Sequence, residues 1–184
     1  ALDAHALDLG VALRRAVPFL IRRGVPVAAV TARAASLAGV LAELQPPTYV
    51  LHLATDPGGS RAALVVDAVA AAFLIEGLLG GDGSKPPELH AQGLTGPQSV
   101  LVSRVAHRIA ESFSAVLGAG AGFGFTRLPP TSAAPGDPAL AALTLALGAS
   151  GELGSITLLI AKEALLVGAA TPTGRASLVD PRIE

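Results

Sequence analysis

The chain has 184 residues, 13 basic and 14 acidic side chains and a formal net charge of -1, with no cysteine, methionine or tryptophan. That balance excludes the electrostatic footprint of a nucleic-acid or anionic-membrane binder, and the absence of cysteine excludes disulfides and thiolate metal centres. The length suits one domain with a sizeable core. With 3% aromatic residues, that core must be built from Leu, Val, Ile and Ala, with Phe19, Phe73, Phe113, Phe123 and Phe125 as bulky fillers. Mean hydropathy is +0.58 and charged residues make up 15%, below the quarter or so of an ordinary soluble domain. A surface so sparsely charged suggests a subunit partly covered by partners, and a coding bias toward Ala and Gly accounts for it equally well.

Helical spacing opens the chain at Leu2, Ala6, Leu9, Leu13, Val17 and Leu20. Pro18 is expected to kink that helix or start a new turn, and Gly24 to end it after Arg22 and Arg23, whose charges suit a helix C-terminus. A β-prone run, Val25 to Thr31, comes next, then an alanine-rich helical segment through Leu44 closed by Pro46-Pro47. Tyr49 to Leu53 and Ala62 to Val66 form a hairpin around Asp56-Pro57-Gly58-Gly59. Asp67 caps a helix from Ala68 to Leu79 that stops at Gly80-Gly81. The stretch Gly80 to Gly93 is a loop. Thr95 caps a long helix, with Pro97 in its first turn, that runs to Leu117. Strand-like Phe123 to Leu128 follows, then a loop to Pro138. Leu140 to Leu147 and Ser155 to Ile160 make a second hairpin, and a last helix starts near Lys162 and fades at Gly168.

The two halves read alike: long helix, strand, connection, hairpin, short helix. They correspond at an offset of roughly 94 residues, long enough for a duplicated half-domain rather than a solenoid repeat. Tyr49 to Leu53 is matched to Leu143 to Leu147, Leu64–Val66 to Leu158–Ile160, and Val25–Thr31 to Ala119–Phe125 or slightly later. The fold class expected is α/β (α+β): a pseudo-two-fold domain with an antiparallel sheet of about six strands, covered by the two long helices. Residues 1–170 are expected to form one domain, with halves at about 1–83 and 94–170. Residues 171–184 read as a linker-like tail.

Membrane and secretion signals are weak. The most apolar stretch, Ala62 to Leu79, is interrupted by Asp67 and Glu76. The first residues carry Asp3, His5 and Asp8 rather than a basic start and an apolar run, and without an initial Met the chain reads as a fragment. Catalytic motifs fare no better, and no cofactor is implied. Lys85 follows Ser84 and precedes Pro86-Pro87, so it does not make a phosphate-binding loop. The glycines of Gly118 to Gly124 follow a helix and lack dinucleotide-loop spacing. His5, His52, His90 and His107 have no metal-ligand spacing. Gly148-Ala149-Ser150-Gly151 is a hairpin turn, not a nucleophile elbow.

The segment Ala62-Ala63-Leu64-Val65-Val66-Asp67 through Phe73-Leu74-Ile75-Glu76-Gly77-Leu78-Leu79-Gly80-Gly81-Asp82-Gly83 resembles the middle domain of FliM, a flagellar motor switch protein. There an apolar strand ends in Asp, a helix with a "lid-x-LLGG" pattern follows, and a GGxG loop comes next. Leu94-Thr95 looks like that family's start of the second long helix, and Pro47-Thr48-Tyr49 like its "PTY"; the resemblance spans Leu2 to Gly168. It implies a fold shared with the CheC and CheX phosphatases but used for assembly, in a ring at the cytoplasmic face of the inner membrane in the flagellar basal body. It also implies contact with FliG through Gly80, Gly81, Asp82 and Gly83. The wider partners it implies are neighbouring FliM copies, FliN and phosphorylated CheY. Physically, three glycines around one Asp leave a backbone able to approach another chain, and a helix cap with a plain surface loop is the bland alternative. Glutamate at Gly81 is expected to block that approach without harm to the fold. Arg14, Arg15, Arg104 and Arg108, on the exposed faces of the long helices, are the candidate subunit–subunit surface, though a solvated charged face gives the same pattern.

The family usually carries a CheY-binding peptide before this domain and a FliN-like domain after it, and this sequence matches neither. A ring protein of a non-flagellar type III secretion system is therefore an alternative. The other alternative is a degenerate CheC/CheX-like phosphatase. Such enzymes need Glu-x-x-Asn on each long helix, yet the sequence contains no asparagine. The first helix offers Leu7 and Gly10 near that place, and the second offers Ser103 and Ala106.

Overall fold

The computed structural model describes residues 2–56, 59–81, 87–90, 92–117, 124–129 and 140–162. Helix α1 (Leu2–Ala16) runs into α2 (Pro18–Arg22), with Pro18 at the first helical position, where its missing N–H is harmless. Gly24, at φ 62°, turns the chain out of α2. Strand β1 (Val27–Ala35) follows, and Ser36 caps α3 (Leu37–Glu43) by accepting from the Gly39 N–H. The hairpin of β2 (Tyr49–Asp56) and β3 (Arg61–Val66) leads through Asp67 into α4 (Ala68–Leu78). Helix α5 (Gly96–Leu117) opens on a reciprocal cap, in which the Thr95 N–H donates to Gln98 Oε1 at 2.9 Å and the Gln98 N–H reaches Thr95 Oγ1 at 3.5 Å. Strands β4 (Gly124–Arg127), β5 (Leu140–Leu147) and β6 (Ser155–Ile160) complete the described elements.

The six strands form one antiparallel sheet in the order β1-β5-β6-β3-β2-β4. Exchanging each strand for its counterpart in the other half reverses this order onto itself, so the sheet has the expected pseudo-two-fold symmetry. The axis passes between β3 and β6, where Leu64 lies opposite Leu158. Their outer neighbours are Leu51 and Leu143, giving a row of four buried leucines across four strands. This row, with Leu53, Val66, Leu145 and Ile156, lies under α1, α4 and α5 and forms the main core. The opposite face carries a smaller cluster in which Val40 of α3 covers Ala63, Val65, Ala142 and Leu159. Beside it Thr144 and Thr157 hydrogen-bond to each other at 2.9 Å.

Two details differ from expectation. The run Ala32 to Ala35 is strand, not helix. It pairs with Leu143 to Leu140 of β5, and that ladder outweighs the helix preference of alanine. The match of the hairpins also moves by two residues: Tyr49 pairs with Val66 while Ala141 pairs with Ile160, so the counterpart of Tyr49 is Ala141 rather than Leu143. The β5–β6 connection is longer by the same amount. Lys162 is helical as expected, but the rest of the last helix, the tail 171–184 and the Gly118–Gly122 run lie outside the described residues. No described helix is long and apolar enough to cross a membrane.

Candidate functional site: the end of α4 and its supports

Helix α4 is apolar almost all round, and its last turn leaves Leu78 at 43% and Leu79 at 72% exposure. A helix that is hydrophobic on every side is one that expects to be covered. Its N-terminus is held by Asp67, whose Oδ1 accepts from the Ala70 N–H at 2.8 Å. The other oxygen, Oδ2, accepts from the Ser155 N–H at 2.6 Å and the Ser155 hydroxyl at 2.7 Å. One carboxylate thus caps the helix and ties it to β6 in the other half of the repeat.

At the far end the backbone bends sharply. The Gly80 N–H donates to the Gly77 carbonyl at 3.3 Å and the Gly81 N–H to the Glu76 carbonyl at 3.0 Å. Gly80 sits at φ 82° with nothing near a would-be Cβ, so glycine is required there by conformation and not by space. Gly81 is the reverse case. A Cβ there would meet Glu76 Cγ at 2.5 Å and Oε1 at 2.8 Å, and Glu76 is itself buried. The expectation that glutamate at Gly81 leaves the fold intact is therefore corrected: any side chain there displaces Glu76. Asp82 and Gly83 lie outside the described residues.

Residues that no sequence motif singled out support this bend. Phe19 of α2 lies so close to Gly77 that a Cβ at 77 would overlap its ring. The Phe19 and Phe73 rings meet edge-on, 5.5 Å apart at 65°. The Arg23 guanidinium lies over both, 5.5 Å from one centroid and 5.6 Å from the other. On the outer side of α4, a cavity of about 350 Å3 is lined by Pro47, Val69, Phe73, Leu89 and Leu153 among others.

The four arginines are carried by α1 and α5, which pack against one another. Arg15, Arg104 and Arg108 are exposed, whereas Arg14 is half-buried and its Nε makes no hydrogen bond among the described residues. Burial repeats between the two helices as Leu9 with Val102, Leu13 with Ala106 and Leu20 with Phe113. That match makes Arg15 and Arg108 counterparts. It also brings Gly10 into correspondence with Ser103, and neither position bears the amide that CheC-type chemistry needs. His107 pairs with Glu111 at 3.4 Å on the exposed side of α5, and His52 is half-buried between buried Leu51 and Leu53. Among the described residues no group of three or more His, Asp or Glu could hold a metal ion. The arrangement presents an exposed apolar helix end, with the helix held by Asp67 at one end and by Phe19 near the other.

No family model and no curated protein matches the sequence. Solved structures match its fold. A chain of the FliG–FliM complex from H. pylori superposes with a TM-score of 0.70 at 16% identity, over 86% of this chain and 91% of that one. The FliM middle domain from Vibrio alginolyticus gives 0.68 at 11% identity, over 90% and 95%. FliY from Thermotoga maritima gives 0.61 at 16%, over 91% and 92%. The chain has the fold of a FliM middle domain. At these identities the likeness establishes the architecture, so what the domain binds must be argued from its own surface.

Proposed function

We propose that this chain is a non-enzymatic subunit of a flagellar motor switch ring. It binds a FliG-like protein through the last turn of α4 and the Gly80–Gly83 loop. Neighbouring copies dock on the α1/α5 side around Arg14, Arg15, Arg104 and Arg108. FliN and phosphorylated CheY are partners of the assembled ring, which lies at the cytoplasmic face of the inner membrane. The observation that carries this reading is the FliM middle-domain fold along nearly the whole chain, one of the matching chains coming from a FliG–FliM complex. The exposed Leu78 and Leu79 beside the glycine bend supply the local support.

The test is a calorimetric titration of the chain with the middle region of a FliG, wild type beside Leu79→Glu. Leu79 is 72% exposed, so a charge there disturbs a docking surface and not the core. Saturable binding in the micromolar range is expected, plausible for one contact multiplied by ring avidity. An apolar anchor lost from the centre of an interface costs about 2 kcal/mol or more, which weakens the variant roughly thirtyfold while its circular dichroism is unchanged. No binding by the wild type refutes the assignment and moves the secretion-ring alternative ahead. Equal binding by both proteins removes the site from α4.

A further inference from the structure

The close approach of Phe19 to Gly77 is not needed for a cap or a turn. Gly77 lies inside α4, where glycine costs about 1 kcal/mol against alanine, and the return on that cost is that a ring rests directly on the helix backbone. Both hydrogen bonds of the glycine bend start from this place: the carbonyls of Gly77 and Glu76 receive the N–H groups of Gly80 and Gly81. Whatever fixes residues 76 and 77 therefore fixes the bend. Phe19 is in turn fixed from the other side. The Val17 N–H donates to the Leu13 carbonyl at 3.1 Å and the Leu20 N–H to the Val17 carbonyl at 2.9 Å, so α2 is hydrogen-bonded onto the end of α1. The Arg23 N–H donates to the Phe19 carbonyl at 2.9 Å while its guanidinium spans the Phe19 and Phe73 rings.

We propose that Phe19 is the positioning residue of the glycine bend: seated on Gly77 and clamped by Arg23, it sets the geometry of Gly80 and Gly81 and links that geometry to α1. This rests on the proposed function for its meaning, since α1 carries part of the face assigned to neighbouring copies and the bend is the part assigned to the FliG-like partner. Displacement of α1 by a neighbour would thus reach the partner loop through one aromatic contact.

The test uses the whole chain, free of partner, with amide chemical shifts and hydrogen exchange read by NMR. In Phe19→Leu, the Gly80 and Gly81 amides should move, and their protection should fall about tenfold, while the Leu64 and Leu158 amides of the sheet keep theirs. Unchanged Gly80 and Gly81 signals overturn the proposal, and so does a loss shared equally with the sheet, which is what a merely structural core residue gives. The second arm approaches from the other side. Gly77→Ala should shift the same amides because its Cβ overlaps the Phe19 ring. Combining it with Phe19→Leu, which removes Cε2 and Cζ, should bring them back toward wild type. Additive shifts in the double variant count against the contact. Titration with the FliG fragment then separates the two readings. If wild type does not bind, the partner assignment fails and the amide data still decide the mechanics. If wild type binds and variants with displaced Gly80 and Gly81 bind equally well, the link to the partner is refuted.

Discussion

Asp67 makes the sharpest test of how the two halves are held together. Replacing it with alanine removes a helix cap, typically worth about 1 kcal/mol. It also removes the acceptor for the Ser155 N–H and hydroxyl, at 2.6 and 2.7 Å. Hydrogen bonds to a charged group contribute about 1.5–3 kcal/mol, and a part-buried N–H left without an acceptor adds to the loss. A total of about 3 kcal/mol is expected for Asp67→Ala, a fall in unfolding midpoint of roughly 6–12 °C for a chain of this length. Asp67→Ser separates the two roles, because serine still caps α4 but is too short to reach Ser155. It should recover only the cap, about 1 kcal/mol, and so still cost about 2 kcal/mol. Urea unfolding followed by far-UV circular dichroism measures both variants. A cost below about 1 kcal/mol for Asp67→Ala would show that the link to β6 contributes nothing and that the carboxylate is a cap alone.

Two further outcomes follow from the β5–β6 turn. Gly154 is at φ 88°, and a Cβ there would crowd the Ala70 backbone, with Ala70 Cα at 2.9 Å; Gly154→Ala should therefore cost about 2–4 kcal/mol by the same urea assay, with a smaller cost refuting the packing of this turn on α4. The Glu152 carboxylate accepts from the Ser150 and Ala149 N–H groups, and the Ser150 bond chiefly holds its pKa below the ordinary value. A carboxylate depressed in the folded state stabilises above its unfolded pKa and loses that contribution as pH falls through the folded one. Wild type should hence be more stable than Glu152→Ala at neutral pH, and their midpoints should converge below about pH 4. Midpoints that stay parallel across that range would exclude the mechanism.

Features governed by neighbours in the chain were legible in the sequence. The cap at Asp67, the turn at Gly80, the cap at Thr95 and the break at Pro18 each depend on residues within a turn of one another. The duplication was legible for a related reason, since two copies of one pattern announce themselves without any knowledge of packing. Features set by contacts distant in sequence were not. Ala32 to Ala35 reads as helix because alanine prefers helix, and only the ladder to β5 makes it strand. Gly81 is the exception: Glu76 is only five residues away, yet the direction its side chain takes over Gly81 is set by its burial and not by the local pattern. Gly77 reads as a weak point in a helix until Phe19, far away in sequence, is found lying on it. Leu78 and Leu79 were legible as an apolar pair beside Gly80-Gly81, at the end of a helix already apolar on its inner side.

The row Leu51, Leu64, Leu158 and Leu143 tests whether the duplication is energetic as well as geometric. Leu64 and Leu158 are both fully buried, sit opposite one another beside the pseudo-two-fold axis, and each has a leucine on its far side. If the halves are equivalent in packing, Leu64→Ala and Leu158→Ala should cost the same, about 3 kcal/mol each, within roughly 1 kcal/mol. The symmetry is broken nearby, however. Asp67 has Ala161 as its counterpart and Ser155 has Arg61, so only one end of the β3–β6 pair is tied to a helix by a carboxylate. If that tie stiffens its surroundings, the cavity beside β3 relaxes less and Leu64→Ala becomes the costlier change. The double variant joins both cavities into one, and its cost should depart from the sum by about 0.5 kcal/mol or more. Equal single costs with a non-additive double place the core on the axis. Single costs that differ by more than about 2 kcal/mol would mean that the two copies share a topology but no longer a common packing.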